Sequence, residues 1–175
     1  MKNKNRLEQI AVFGSAFNPP TLGHLSVIKR LSHFDQVLLV PSRVHVWGKA
    51  MINFDKRCDW VTTFISDASL ANLSLCSNER ELGKKGPITT WALLNQLQNQ
   101  YPNAILTFVI GPDNFLNFGK FHKFTEIMER WNILVCPETI HVRSTDIRNR
   151  VIKGYDITLF TTPSLVTKLV KEDFL

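Results

Sequence analysis

The residues best suited to chemistry lie near the start of the chain, in Gly14-Ser-Ala-Phe-Asn-Pro-Pro-Thr-Leu-Gly-His24, and the chemistry they suit is the handling of phosphate. Before them, Ile10-Ala-Val-Phe13 has the apolar character of a buried strand, and after them Leu25, Ile28 and Leu31 recur at helical spacing. The pattern predicts a β–α turn with His24 in the first turn of the helix. At a helix start the free backbone N–H groups and the positive end of the dipole attract anions, and Gly14 and Gly23 would leave the backbone open to a phosphate. Pro19 and Pro20 stiffen the connection. The same residues also suit an ordinary β–α connection that His24 merely follows, and by themselves they do not separate the two.

Two further stretches follow in order. Ile110-Gly-Pro-Asp113 ends an apolar run, and Arg143-Ser-Thr-Asp-Ile-Arg148 opens a helical segment near the C-terminus. With Gly14, Phe17, Pro19, Thr21, Gly23 and His24 filling the pattern Gly-x-x-Phe-x-Pro-x-(His or Thr)-x-Gly-His, the chain resembles the nucleotidyltransferase superfamily of adenylyl- and cytidylyltransferases. Within it, Ile110 to Asp113, Trp47-Gly-Lys49, Arg57 and Gly86-Pro-Ile-Thr-Thr90 resemble the nicotinate and nicotinamide mononucleotide adenylyltransferase branch, and the likeness runs from about residue 10 to about residue 170. The chain departs from that branch at four places. Thr21 stands where that branch usually carries His, although the pantetheine-phosphate enzymes use Thr there; Asn18 replaces a common Asp, Ile88-Thr-Thr90 a Ser-Tyr-Thr run, and Phe121 a Trp.

The resemblance implies transfer of an adenylyl group from ATP, with Mg²⁺ neutralising the triphosphate, to a pyridine mononucleotide, with release of pyrophosphate. Such a reaction needs no protein nucleophile, only alignment and stabilisation of charge on the phosphoryl oxygens. By resemblance His24, Thr21, Lys49 and Arg148 form the catalytic set. His24 is the expected donor to the α-phosphate. Thr21 supplies a hydroxyl without positive charge. The ATP side would be built from Gly14, Ser15, Ala16, Phe17, Gly23 and His24, from Gly111 and Asp113, and from Ser144, Thr145 and Arg148. The acceptor side would take Asn18, Trp47 and Lys49, with Thr89, Thr90 and Phe121.

Each assignment has a plainer competitor. Ser144 or Thr145 suits a simple helix cap and Arg148 a surface charge. Lys49 suits a solvated side chain, Arg57 the exposed face of a helix, and Asp113 a helix N-cap. Phe121 and Trp91 suit either stacking on a pyridine ring or the core. At the level of the whole protein, the alternatives are another phosphorylated acceptor such as phosphopantetheine, a nucleotide-binding module without catalysis, and a nucleic-acid binder.

Composition narrows these choices. A chain of 175 residues with 44% apolar content suits one domain with one substantial core, expected to span residues 1–175. No apolar run reaches the roughly 18 residues of a membrane span, and no signal-type stretch follows the basic N-terminus, so a cytoplasmic protein is expected. Cys58, Cys76 and Cys136 are widely spaced and odd in number, which points to neither a disulfide framework nor a zinc site. The net charge of +6 favours anionic partners. Its scatter along the chain argues against nucleic acid, whose binders cluster their basic residues.

The elements that must position these residues alternate between strand and helix. Ile10 to Phe13, Gln36 to Pro41, Leu73 to Ser77, Ala104 to Ile110 and Asn132 to Cys136 read as strands. Asp55 to Ala68, a segment starting at Thr89 or Thr90 and ending before Pro102, short pieces from Asp113 to Arg130, the segment from Ser144 to a stop at Gly154, and Pro163 to Phe174 read as helices. The last is expected to pack rather than to serve function. The alternation predicts an α/β fold: a Rossmann-like, doubly wound parallel sheet in a three-layer α/β/α arrangement. Ligands then bind beyond the carboxyl ends of the strands, where the turns after Phe13, Val40 and Ile110 open.

Overall fold

The computed structural model describes residues 6–43, 51–82 and 88–175. Its sheet is parallel throughout, with β1 (Glu8–Ser15), β2 (Gln36–Pro41), β3 (Leu73–Leu75), β4 (Ala104–Ile110) and β5 (Asn132–Val135) in the order β3-β2-β1-β4-β5. The strands are apolar on both faces because helices cover both. On one face Ile10, Val12, Leu38, Val40, Leu106 and Phe108 pack with Leu93, Leu94 and Leu97 of α4 (Thr90–Gln100) and Ile127 of α6 (Phe124–Arg130). On the other, Ala11, Phe13, Val37, Leu39 and Val109 meet Val27 and Ile28 of α1 (Leu22–Lys29) and Trp60, Val61 and Phe64 of α2 (Phe54–Ala68). Ile147 of α7 (Ser144–Ile152) and Leu165 of α8 (Pro163–Lys168) complete that layer. Each large side chain so buried contributes about 1.5–3 kcal/mol. The result is the doubly wound three-layer arrangement that the alternation predicts.

Two short helices, α3 (Glu79–Leu82) and α5 (Pro112–Leu116), complete the α-helices of the described residues. From β1 the chain winds outward through β2 to β3, then crosses back to place β4 on the other side of β1. The strand order therefore reverses between β1 and β4, and a crevice opens beyond their carboxyl ends, where such sheets bind ligands.

Where the elements differ from expectation, pairing explains it. β1 is longer than predicted at both ends because Glu8 pairs with Ala104 and Ser15 with Pro41. β3 ends at Leu75, before the predicted Ser77, since it pairs with β2 alone. The predicted helix from Pro163 to Phe174 is broken: α8 stops at Lys168 and a 3₁₀ turn covers Lys171–Phe174. Between them Leu169 is extended, and the Val170 N–H donates to the Asp173 carboxylate at 3.0 Å. Asp173 also pairs with Lys56, and the Phe174 ring lies 5.8 Å from Trp60, so the C-terminal turn is bound to α2.

Candidate active site

The turn between β1 and α1 is organised around His24. Thr21 is the N-cap of α1, its hydroxyl accepting the His24 N–H at 3.2 Å, while the Thr21 N–H donates to His24 Nδ1 at 3.0 Å. This is a capping box with histidine in the place usual for glutamate. The Thr21 hydroxyl lies 2.9 Å from the same Nδ1. A nitrogen that accepts a backbone N–H carries no proton, so the ring proton sits on Nε2, 3.0 Å from Ser15 Oγ. Burial, and to a lesser degree the Arg143 guanidinium, pushes the His24 pKa down to about 4. His24 is therefore a neutral N–H donor. Phe17 backs the ring at 4.9 Å and is wholly buried, at a positive φ of 44° that the surrounding packing enforces.

The carbonyls of this turn are held from outside it. Ala16 O accepts Arg57 Nη1 at 2.6 Å, Asn18 O accepts Arg148 Nη1 at 2.7 Å, Pro19 O accepts Ser144 Oγ at 2.7 Å, and Pro20 O accepts Thr161 Oγ1 at 2.8 Å. The Leu22 N–H donates to Phe160 O at 2.9 Å. Arg57 also donates Nε to Ile52 O at 2.8 Å. Donors from α2, α7 and the segment before α8 thus fasten one loop and, through it, His24. Groups fixed this way need no reorganisation when charge develops beside them.

Beyond the carboxyl ends of β1, β4 and β5 lies a cleft walled by Gly14, Ser15, Gly23, His24, Gly111, Asp113 and Phe121, all expected at a nucleotide site. Apolar surface from Val27, Phe108, Val109 and Ile110 floors it, and Glu138 and Arg143 complete the polar wall. Neither Glu138 nor Arg143 has a site role in the sequence expectation, although Arg143 opens the stretch that ends at Arg148. The one available signal was a basic residue immediately before Ser144-Thr145; nothing local marked Glu138.

The remaining expected residues sit differently. The Thr21 hydroxyl is turned to His24 and the residue is buried. The Phe17 ring lies behind the imidazole, and Ala16 presents its carbonyl to Arg57. The Asn18 side chain is buried and accepts the Ile52 N–H at 3.2 Å. Ser144 and Arg148 are engaged with Pro19 and Asn18, and the Thr145 hydroxyl accepts Arg148 Nη2 at 3.1 Å. Arg143, rather than Ser144 or Thr145, is the N-cap of α7, with its N–H donating to Asp146 at 3.1 Å. Asp113 is the second residue of α5, and Gly111 holds the N-cap position. Thr89 caps α4, accepting the Ala92 N–H at 3.2 Å, and Thr90 opens that helix. Trp47 and Lys49 lie outside the described residues.

One expectation needs correction, and one residue has a further role. Arg57 is not on an exposed helix face: it is fully buried, with its guanidinium donating to the Ala16 and Ile52 carbonyls. Gly23, expected to give access to phosphate, has a packing role of its own. A Cβ there would lie 2.7 Å from Glu138 Oε2, 2.9 Å from Ile140 O and 3.1 Å from Val142 O, so its lack of a side chain lets the β5–α7 connection close over α1.

Among the described residues no group of three His, Cys, Asp or Glu side chains could hold a metal ion. The carboxylates on the cleft are Asp113 and Glu138. That donor set suits a Mg²⁺ ion carried by a triphosphate, since Mg²⁺ keeps several waters and takes few protein ligands beside substrate phosphates. Also among the described residues, no helix is long and apolar enough to cross a membrane.

Comparison with known proteins adds to this geometry. Residues 12–151 match the model of the cytidylyltransferase-like family. A protein of Shewanella sp., named as a probable nicotinate-nucleotide adenylyltransferase, is 30% identical over 132 residues, covering 73% of this chain and 60% of the relative. The chain thus spans less than two thirds of that relative's length. A protein of the same name from Exiguobacterium sibiricum is 24% identical, with 94% and 96% of the two chains aligned. The crystal structure of a candidate nicotinate-nucleotide adenylyltransferase from Vibrio parahaemolyticus superposes with a TM-score of 0.85 at 50% identity, over 93% of this chain and 98% of that one. The Plasmodium falciparum nicotinic acid mononucleotide adenylyltransferase, solved with NaAD, shares the fold at a TM-score of 0.76 and 17% identity, over 95% and 96% of the chains.

Proposed function

This chain belongs to the cytidylyltransferase-like family, and from that premise we propose that it transfers the adenylyl group of ATP to nicotinate or nicotinamide mononucleotide, releasing pyrophosphate. The names of its relatives favour nicotinate mononucleotide as the acceptor. The observation that carries the reading is the neutral His24, its Nε2–H directed to the wall of the cleft at the N-terminus of α1. In this reading a phosphate oxygen of the acceptor attacks the α-phosphorus, pyrophosphate departs, and the His24 Nε2–H exchanges its Ser15 Oγ partner for the α-phosphate oxygen on which charge accumulates. Bound Mg²⁺ supplies neutralisation of the triphosphate. Asp113 accepts hydrogen bonds from ribose hydroxyls, and Phe121 offers an aromatic face at the edge of the cleft.

Thr21 serves here as the residue that orients His24. It therefore gives no reason to prefer a phosphopantetheine acceptor. Arg148 and Ser144 act by holding the turn, and Lys49 is the further cation proposed for the acceptor side. The span of the family match, with the C-terminal turn docked on α2, supports reading residues 1–175 as one domain.

The test supplies ATP, Mg²⁺ and equal amounts of the two mononucleotides, and separates dinucleotide and pyrophosphate products by chromatography. The wild-type protein should form at least one dinucleotide with stoichiometric pyrophosphate. His24→Ala should reduce turnover by about 10² or more, the typical loss on removing a donor to a developing oxyanion. Near wild-type turnover in that variant would remove His24 from the reaction.

A further inference from the structure

The cleft must accept a polyanion, and of the described cations expected for it, Arg57 and Arg148 are not among its lining residues. His24 is neutral, held so by its Nδ1 hydrogen bond and its burial. Arg148 donates to Asn18 O and Thr145 Oγ1, and Arg57 is buried beneath the turn. Arg143 differs. Its side chain is 66% exposed, it lines the cleft, and its guanidinium lies 3.4 Å from Glu138 Oε1 and 3.9 Å from Asp113 Oδ2. Neither separation is a hydrogen bond, which for N–H···O falls at 2.7–3.2 Å.

We infer that Arg143 is the residue that binds the nucleotide's phosphates, exchanging its loose pairing with Glu138 and Asp113 for a bidentate pairing with phosphate oxygens. Four observations carry this. Arginine is always charged and its planar fork matches phosphate geometry. Among the described residues that line the cleft, Arg143 is the one permanent cation. Its charge is felt at the His24 ring, so both groups address the same region. Finally, its backbone is fixed at the N-cap of α7 by Asp146, which leaves the side chain to swing from the carboxylates without moving the helix. Once Arg143 departs, Asp113 is free to accept ribose hydroxyls, and the like-charged carboxylates are separated from the phosphates by the arginine. Glu138 then acts as a competitor that occupies the cation until the nucleotide arrives.

This inference rests on the proposed nucleotidyltransferase reading, and the experiment separates the two. Binding of ATP, of inorganic tripolyphosphate and of adenosine is measured by calorimetry, without acceptor, for the wild type, Arg143→Ala, Arg143→Lys and Glu138→Gln; KM and kcat are measured in parallel. Arg143→Ala should weaken ATP and tripolyphosphate alike, by tenfold or more, leave adenosine binding within twofold, and raise the KM for ATP more than it lowers kcat. Arg143→Lys should recover part of the loss. Glu138→Gln should tighten tripolyphosphate by removing the competitor. Unchanged tripolyphosphate binding in Arg143→Ala overturns the inference, as does a loss confined to ATP and adenosine, which would place the guanidinium on the base. Wild-type protein that binds these phosphates but forms no dinucleotide would defeat the proposed reaction while the role of Arg143 is still decided by the binding data. Wild-type protein that binds none of them defeats both. Melting temperatures check that each variant is folded, and the exposure of Arg143 makes its truncation mild.

Discussion

A buried imidazole whose Nδ1 accepts a backbone N–H cannot take a proton there without losing that bond. At His24 desolvation is the larger cause and the Arg143 charge the smaller, and together they lower the pKa from 6.5 to about 4. The folded chain therefore resists protonation, and unfolding takes up a proton between those two values. The stability contributed by the neutral ring is complete above about pH 6.5 and is lost as pH falls towards 4. An NMR titration of the His24 ring should have its midpoint near 4, with Nε2 as the protonated nitrogen above it, and the rate should be flat through pH 6–8 as far as His24 is concerned. A midpoint near 6.5 would mean that the ring acts as a cation after all. The residue types at this turn were plain in the sequence, but their roles were not: Thr21 looked like a second phosphate donor until its hydroxyl was found turned to the imidazole.

Between elements, the contact that matters most is that of α1 with the connection from β5 to α7. Gly23 sits on the first turn of α1 where that connection crosses, and three oxygens stand within 3.1 Å of the position a Cβ would take. Two of them are backbone carbonyls, which move only if the chain moves. Gly23→Ala should therefore destabilise the protein by about 1–3 kcal/mol, the cost of overpacking a tight contact, and should displace Glu138 and Arg143 from the cleft. Urea unfolding would measure the first effect. A drop in ATP affinity together with the stability loss would reveal the second. The hydroxyl of Ser26, which accepts the Thr139 N–H at 3.0 Å, pins the same connection one turn further along α1.

Across the whole molecule, long-range donors converge on the turn before α1. The partners of Ala16 O, Asn18 O, Pro19 O and Pro20 O lie 41, 130, 125 and 141 positions away in the chain. The C-terminal segment, expected only to pack, supplies one of them through Thr161 and accepts the Leu22 N–H through Phe160. Arg57 is the most buried of these donors. Arg57→Leu should cost about 3–5 kcal/mol, since it removes the donor to the Ala16 and Ile52 carbonyls and leaves the buried Glu79 without a nearby positive charge. Chemical denaturation would register this, and a variant within 1 kcal/mol of the wild type would show that water replaces the guanidinium.

The sequence by itself determined the alternation of strands with helices, the parallel doubly wound sheet and the place of His24 at a helix start. It could do so because apolar periodicity, caps and β–α turns are set by interactions over a few residues: β2 and β4 were legible to the residue, as was the approach of Gly14 to His24. The tertiary structure alone decided which polar side chains face the cleft and which hold it together. Ser144, Arg148, Asn18 and Arg57 have types that suit a phosphate equally well, and what draws them away from the cleft is a set of carbonyl and amide partners brought near only when the sheet has closed. Arg143 and Glu138 reach the cleft for the complementary reason. The absence of a side chain at Gly23 lets their segment cross α1, a contact between residues more than a hundred positions apart that no local pattern records.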